Sequence, residues 1–261
     1  MDIGISTACF YPMATESTLS VIYELGFKKI EVFMEAYSEY EVEFCKYLRE
    51  QIDKFELKVI SAHAFCSVYE PFLFSEYRRR KLDALVTFKK ALTAAHILGA
   101  KYFTFHGNRK EATTDTFNFR NYASEMDQLA EIAGEKNIVL AWENVYWCQS
   151  GSPDFIEKTM EYIRSDNLKF TLDIKQANKS GVNPIEYINV MKDKIVNVHI
   201  NDADHEHVCL LPGEGKINLK LIIHTLKQNN YQGDLLIEVY RKNFRHMHQI
   251  IESRNHLATL I

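Results

Sequence analysis

The amino-acid sequence predicts a single (β/α)8 barrel spanning residues 1–261, and three observations carry that prediction. Short runs that alternate apolar and polar residues recur along the chain between segments of helical periodicity, eight of each kind. Strict alternation of strand and helix implies a parallel sheet, and eight units imply its closure into a barrel. Four runs in the second half carry one acid or histidine near the C-terminal end, on the less apolar face, where a barrel mouth would gather them. They are Glu143 in VLAWENV, Asp173 in FTLDIKQ, His199 in IVNVHINDAD and Glu238 in LLIEVY.

Taken in order, Ile3 to Ser6 is a short strand, and a helix around Thr18 to Leu25 is closed by Gly26, a residue suited to a helix C-terminal stop. Lys29 to Phe33 is the second strand. Val42, Cys45, Leu48, Ile52 and Phe55 recur at three- and four-residue steps, which predicts a helix with one buried stripe. Lys58 to Phe65 is the third strand, with Ser61 and His63 on one face. A long helix from about Glu76 to Leu98 ends at Gly99, and the fourth strand, Tyr102 to Gly107, carries His106 at its end. Helical periodicity returns from Phe119 to Lys136, before the fifth strand, Ile138 to Val145. Ser152-Pro153 and Asn183-Pro184 each read as an N-cap followed by proline at the first helical position. Strands six to eight then alternate with helices at about Asp154 to Arg164, Pro184 to Asp193 and Leu219 to Asn229, and a final helix runs from about Phe244 to Leu257.

The chain is long enough to bury its own core, and 46% hydrophobic with 25% charged residues is ordinary for a globular protein. A net charge of -4 offers no general attraction to nucleic acid or to an anionic membrane, and neither is expected as a partner. The opening MDIGISTACFYPM lacks a basic region followed by an apolar core, so no secretion signal is expected from it, and no apolar run approaches the roughly 20 residues that span a bilayer. Cys9, Cys45, Cys66, Cys148 and Cys209 form an odd set without a CxxC pair, read as reduced thiols of a cytoplasmic protein. Four of them follow strands near the expected mouth, which predicts sensitivity to oxidation.

Any one of Glu143, Asp173, His199 and Glu238 is an ordinary strand-end polar group; four at matching positions are a constellation. Three carboxylates and an imidazole facing one another cannot all be buried and unpaired, because like charges at close range force protonation. A divalent cation resolves the conflict. Mostly oxygen ligands with one nitrogen favour a hard ion, Mn2+ first, with Co2+, Mg2+ or Zn2+ as alternatives. Glu31, ending the second strand, is placed to support such a site from behind.

WENV, TLDIKQA, VHINDAD, LPGEGKIN and LIEVY, in that order, resemble the xylose isomerase-like barrel superfamily of sugar phosphate isomerases and epimerases, which also contains metal-dependent apurinic endonucleases. ELGFKKIEV, SAHAF and AHILGAKYFTFHG extend the resemblance over the first half. It implies that Glu143, Asp173, His199 and Glu238 bind one metal ion and that Glu143 and Glu238 also move the proton. The reaction it implies is isomerisation or epimerisation of a small sugar, keto-sugar or sugar phosphate through a metal-stabilised enediolate. His63, His106, Gln176, His205 and Arg241 would contact substrate; with Glu143, His63 and His106 could instead hold a second metal. Family members often form homo-oligomers, though no stretch here identifies an interface.

Two departures separate this chain from the endonucleases. Gln176 stands where they place a histidine, and His207-Val208-Cys209 stands where they place Asp-x-His before the turn that is here Gly213-Glu214-Gly215. Three ligands of their third metal site are thus altered together. Gln176 can hydrogen-bond a sugar hydroxyl but cannot titrate. The rival activities are metal-dependent hydrolysis or lyase chemistry, apurinic endonuclease-like or inosose dehydratase-like, and a barrel that only binds sugar. Lys175, Arg109, Lys110 and Arg241, at strand ends, could hold a phosphate.

Overall fold

The alternating runs form the strands of a closed parallel barrel. The structure, a computed structural model, describes residues 1–65, 69–110 and 117–261, so Cys66 lies outside the described residues. The strands are β1 (Ile3–Ser6), β2 (Lys29–Met34), β3 (Lys58–Ala64), β4 (Tyr102–Phe105), β5 (Val139–Glu143), β6 (Leu168–Asp173), β7 (Ile195–Ile200) and β8 (Leu235–Ile237). They pair in sequence order, and β8 closes on β1 with Ile5 opposite Ile237. This is a single (β/α)8 barrel.

Helices separate the strands: α1 (Thr15–Glu24), α2 (Val42–Lys54), α3 (Arg78–Leu98), α4 (Phe119–Gly134), α5 (Pro153–Met160), α6 (Ile174–Ser180), α7 (Pro184–Met191), α8 (Leu219–Gln228) and α9 (His248–Ala258). The apolar strand faces meet them. Phe103 of β4 packs edge-on against Phe88 of α3, and Trp142 of β5 against Phe155 of α5. Ser152 caps α5 by accepting from the Phe155 amide, and Asn183 caps α7 by accepting from Ile185, with Pro153 and Pro184 opening the two helices. Gly99 closes α3 at φ +79°, a left-handed conformation that costs glycine nothing.

Three details differ from the sequence-based expectation. An unexpected short helix, α6, follows β6 directly, its first turn capped by Asp173 Oδ1, which accepts from the Gln176 amide at 2.9 Å. β7 ends at Ile200; the chain then closes on itself, with the amides of Asp202 and Leu210 each donating to the other's carbonyl. The last helix starts at His248 because the Arg245 and His246 amides are taken by the Gln249 side chain. Among the described residues, no helix is long and apolar enough to cross a membrane.

Candidate active site

Strand register brings the four expected ligands together. Asp173 lies opposite His199 across β6 and β7, and Glu143 opposite Thr171 across β5 and β6; Glu238 follows β8, its amide donating to Ile200 of β7. All four side chains are buried. The His199 ring sits among the acids, with Nδ1 3.1 Å from Glu143 Oε1, 2.9 Å from Glu238 Oε2 and 3.5 Å from Asp173 Oδ2.

Its other nitrogen faces away. Nε2 lies 2.9 Å from Glu31 Oε2, an oxygen that also accepts from Ser61, Thr104 and Asn197. Ser6 donates to Glu31 Oε1. Side chains from β1, β2, β3, β4 and β7 thus form a polar plug inside the barrel beneath the cluster. A carboxylate behind Nε2 keeps a proton there and directs Nδ1 at the three acids, the arrangement that orients a metal-ligating histidine.

The electrostatics are those of an overcrowded acidic site. Burial alone would strip the proton from His199, but Glu238 and Glu31 outweigh it and hold the imidazole well above the ordinary histidine range. Burial also opposes ionisation of Glu143, yet His106, His199 and His63 together hold it well below the usual carboxylate range. Glu238, likewise against burial, is pulled down to about 2 by His199 and Lys175. Asp173 goes the other way, raised first by burial.

Three buried carboxylate oxygens converge on nitrogen: Glu143 Oε2 lies 2.8 Å from His106 Nε2, Glu238 Oε2 2.9 Å from His199 Nδ1, and Asp173 Oδ2 3.5 Å from both His199 Nδ1 and Lys175 Nζ. Three converging carboxylates and one imidazole nitrogen are a donor set that suits a divalent cation. The residues fit a divalent metal. Among the described residues, ligand atoms within 4.8 Å of one another form three sets: Glu143 with Asp173 and His199, Glu238 with Glu31, His63 and His199, and His63 with His106 and Glu143. His63 Nε2 and His106 Nε2 are 2.9 Å apart, and His106 Nε2 is 2.8 Å from Glu143 Oε2.

The other expected contacts divide. Gln176, in the first turn of α6, accepts from the Tyr146 amide at 3.4 Å. His205 is not brought to the cluster: its side chain is 71% exposed, and it lines a separate groove of about 550 Å3 with Asn183, Asp204 and Val208. Arg241 is held away by its own turn, donating from Nη1 to the Phe244 carbonyl and stacking on that ring. His207 is exposed and lies 3.0 Å from Asp204.

Lys175, expected only as a phosphate contact, is buried with Nζ 2.5 Å from Glu238 Oε1 and 3.5 Å from Asp173 Oδ2. Glu70 is a second addition: fully buried, it accepts from the amides of His106 and Gly107, and burial pushes its carboxyl up to about 7. Above the cluster opens a cavity of about 500 Å3 bordered by Lys175, Glu238, Glu35 and several aromatic rings.

The Gly213-Glu214-Gly215 turn is closed on an internal acid. Asp202 Oδ1 accepts from the Ala203 and Ile217 amides and Oδ2 from Gly213, and a Cβ on Gly215 would collide with that carboxylate. The described cysteines are all buried. Burial pushes the Cys9 thiol up to about 12 and raises those of Cys148 and Cys209, which works against the oxidation sensitivity expected of them.

Comparison with known proteins agrees with this architecture. A family model described as xylose isomerase-like TIM barrel matches residues 19–260. An uncharacterized protein of Methanocaldococcus jannaschii is 29% identical over 257 residues, covering 94% of this chain and 85% of its own. Among solved structures, a D-tagatose 3-epimerase-like protein superposes with a TM-score of 0.83 at 24% identity, covering 100% of this chain and 97% of that one. The IOLI protein with a binding zinc atom superposes at 0.81 with 16% identity, covering 100% and 98%. At such identities these two structures speak to the fold alone.

Proposed function

The chain belongs to the xylose isomerase-like TIM barrel family, and from that premise we propose that it is a metal-dependent isomerase or epimerase of a small sugar or keto-sugar. One observation carries the proposal. Glu143, at the end of β5, and Glu238, just after β8, both reach His199 Nδ1, through Glu143 Oε1 at 3.1 Å and Glu238 Oε2 at 2.9 Å, so two buried carboxylates converge on one imidazole nitrogen. Sugar binding alone would not need a second carboxylate of this kind.

Glu143, Asp173, His199 and Glu238 would hold the ion, Mn2+ first among hard divalent cations. Such an ion supplies a Lewis acid that polarises a substrate carbonyl and eases negative charge on its oxygen. The rest is the work of this chain's own groups. Glu143 Oε2 and Glu238 Oε2 are the candidate proton acceptor and donor at the carbon beside the carbonyl. Both acids are held ionised by neighbouring imidazoles and Lys175, so either can start as the base, and the other donates only after taking up a proton from solvent or from a substrate hydroxyl. Return of the proton by the second carboxylate from the other face inverts the centre; delivery to the neighbouring carbon isomerises it. His63, His106 and Gln176 are proposed to hold substrate hydroxyls.

The test is to incubate Mn2+-loaded protein with a panel of ketoses and aldoses and follow sugar products by NMR, with chelator-treated, Glu143→Gln and Glu238→Gln protein alongside. An epimer or isomer formed only by the loaded wild type supports the proposal. A dehydrated product, or turnover that survives chelation, replaces it.

A further inference from the structure

The cavity above the cluster carries information about the substrate that the cluster does not. Tyr11, Phe33, Phe65, Val239 and Tyr240 form its walls, and its charged groups are Glu35, Lys175 and Glu238. Lys175 is the one cation bordering it among the described residues, and its ammonium is already committed to Glu238 and Asp173. Glu35 is half-buried; its charged neighbours are Glu39, which repels it, and His63, which attracts it. Burial and Glu39 push its carboxyl up to about 6, so it is ionised at pH 7.5.

Phosphate recognition uses Arg or Lys side chains or a set of unpaired backbone N–H groups. Among the described residues, two backbone sources near the mouth are taken. Asp202 occupies the amides around the glycine turn, and Asp173 caps α6. Residues 66–68 and 111–116, which follow β3 and β4 in the chain, contain no Lys or Arg. On the rim, Lys179 Nζ is 2.7 Å from the Tyr240 hydroxyl and Arg241 bonds the Phe244 carbonyl. Lys242, exposed, lies 5.8 Å from the Tyr240 ring centre. Apart from the proposed metal ion, which Glu238 would hold, a phosphate dianion in the cavity would meet the Glu35 carboxylate and, among the described bordering residues, no cation but the already paired Lys175.

We propose that this cavity selects an uncharged, non-phosphorylated sugar, with Glu35 accepting hydrogen bonds from its hydroxyls and the aromatic walls covering its carbon-bound hydrogens. The inference rests on the sugar isomerase or epimerase reading for its reaction, but its selectivity can be measured without turnover. A sugar carries many hydroxyl donors and no net charge, which suits a lone acceptor in an aromatic setting. Glu35 is then a specificity-determining residue.

The experiment pairs each free ketose with its 1- and 6-phosphate on Mn2+-loaded protein at pH 7.5. Binding is read by calorimetry and turnover by NMR, for wild type, Glu35→Gln and Glu35→Lys. Wild type is expected to prefer the free sugar at least tenfold in both readouts. Glu35→Gln should narrow that preference, and Glu35→Lys should narrow it at least tenfold by admitting the ester. A wild type that binds or turns over a phosphate ester as well as the free sugar overturns the inference and points to Lys242 and Lys179 as the phosphate contacts. Preferential binding of a free sugar without turnover leaves the inference standing and removes the reaction. Binding of neither form overturns both.

Discussion

Replacing Glu31 by glutamine isolates the charge behind His199 from the hydrogen bonds around it. The amide can keep its oxygen toward Ser61, Thr104, Asn197 and His199, and turn its NH2 to the Ser6 hydroxyl, which can rotate to accept. The network survives and the negative charge goes. His199 Nδ1 then becomes a poorer donor to a cation, and changes of this outer-shell kind cost about 10- to 100-fold in metal affinity, or about 1.4–2.8 kcal/mol. Loss of Glu31 also weakens the hold on the His199 proton, which relieves proton competition for Nδ1, so the loss is best read near pH 8.5. At a Mn2+ concentration of about 1,000 times the wild-type Kd, the ion stabilises wild type by about 4.1 kcal/mol; a tenfold weaker variant gains about 2.7 kcal/mol. For a domain of this size the difference amounts to about 3–6 °C in the Mn2+-induced rise in Tm. Calorimetric titration gives the affinity and thermal unfolding with and without Mn2+ gives the shift. An affinity within twofold of wild type would show that Glu31 only fills the barrel, and would refute its part in directing Nδ1.

Three further outcomes follow from the same geometry. Because His199 holds its proton well above the ordinary histidine range, a cation on Nδ1 must displace it: Mn2+ affinity should rise with pH from 6 to 8, with proton release seen as a dependence of the binding heat on buffer ionisation enthalpy, and a pH-independent affinity would contradict this. Glu70 has a folded-state pKa of about 7 against an ordinary 4.5, so the folded chain binds more protons than the unfolded one between those values, and stability falls as pH rises through that window, by up to about 3 kcal/mol. Glu70→Gln keeps an acceptor for the His106 and Gly107 amides without the charge; its Tm should match wild type at pH 5 and exceed it at pH 8, and equal Tm values at pH 8 would argue against a buried charge there. Asp202→Ala strands the three amides that close the glycine turn and should lower stability by about 2–4 kcal/mol in denaturant unfolding, whereas Asp202→Asn, which retains an acceptor, should cost less.

The barrel and the convergence of Glu143, Asp173, His199 and Glu238 at its mouth were legible because both rest on local pattern. Alternation fixes which residues face the axis, and a lone acid or histidine at a strand end stands out against Val, Leu and Ile neighbours. The burial of Lys175 is not legible because its partner Glu238 lies 63 residues away, and no local pattern says that a lysine beside a strand end will turn inward to it. The helix α6 went unseen for a different reason: IKQANKS is short and polar, without the repeating apolar stripe that marks a surface helix, and what starts it is the side chain of Asp173. His205 stands among acids in the sequence, yet the bridge between Asp202 and Leu210 throws that loop outward, a long-range constraint invisible to spacing. Glu70 follows the third strand as an apparent loop acid beside Pro71; its burial against the His106 amide depends on where β4 ends.

The most direct test of the central claim is the fate of the proton. Mn2+-loaded protein turning over a ketose in D2O should place deuterium at the carbon beside the carbonyl, and both incorporation and product formation should vanish in Glu143→Gln, in Glu238→Gln and after chelation. An epimer formed at an undiminished rate with no solvent deuterium at the inverted carbon would contradict the account, because the proton given to the opposite face must come from the second carboxylate, which takes its proton from solvent.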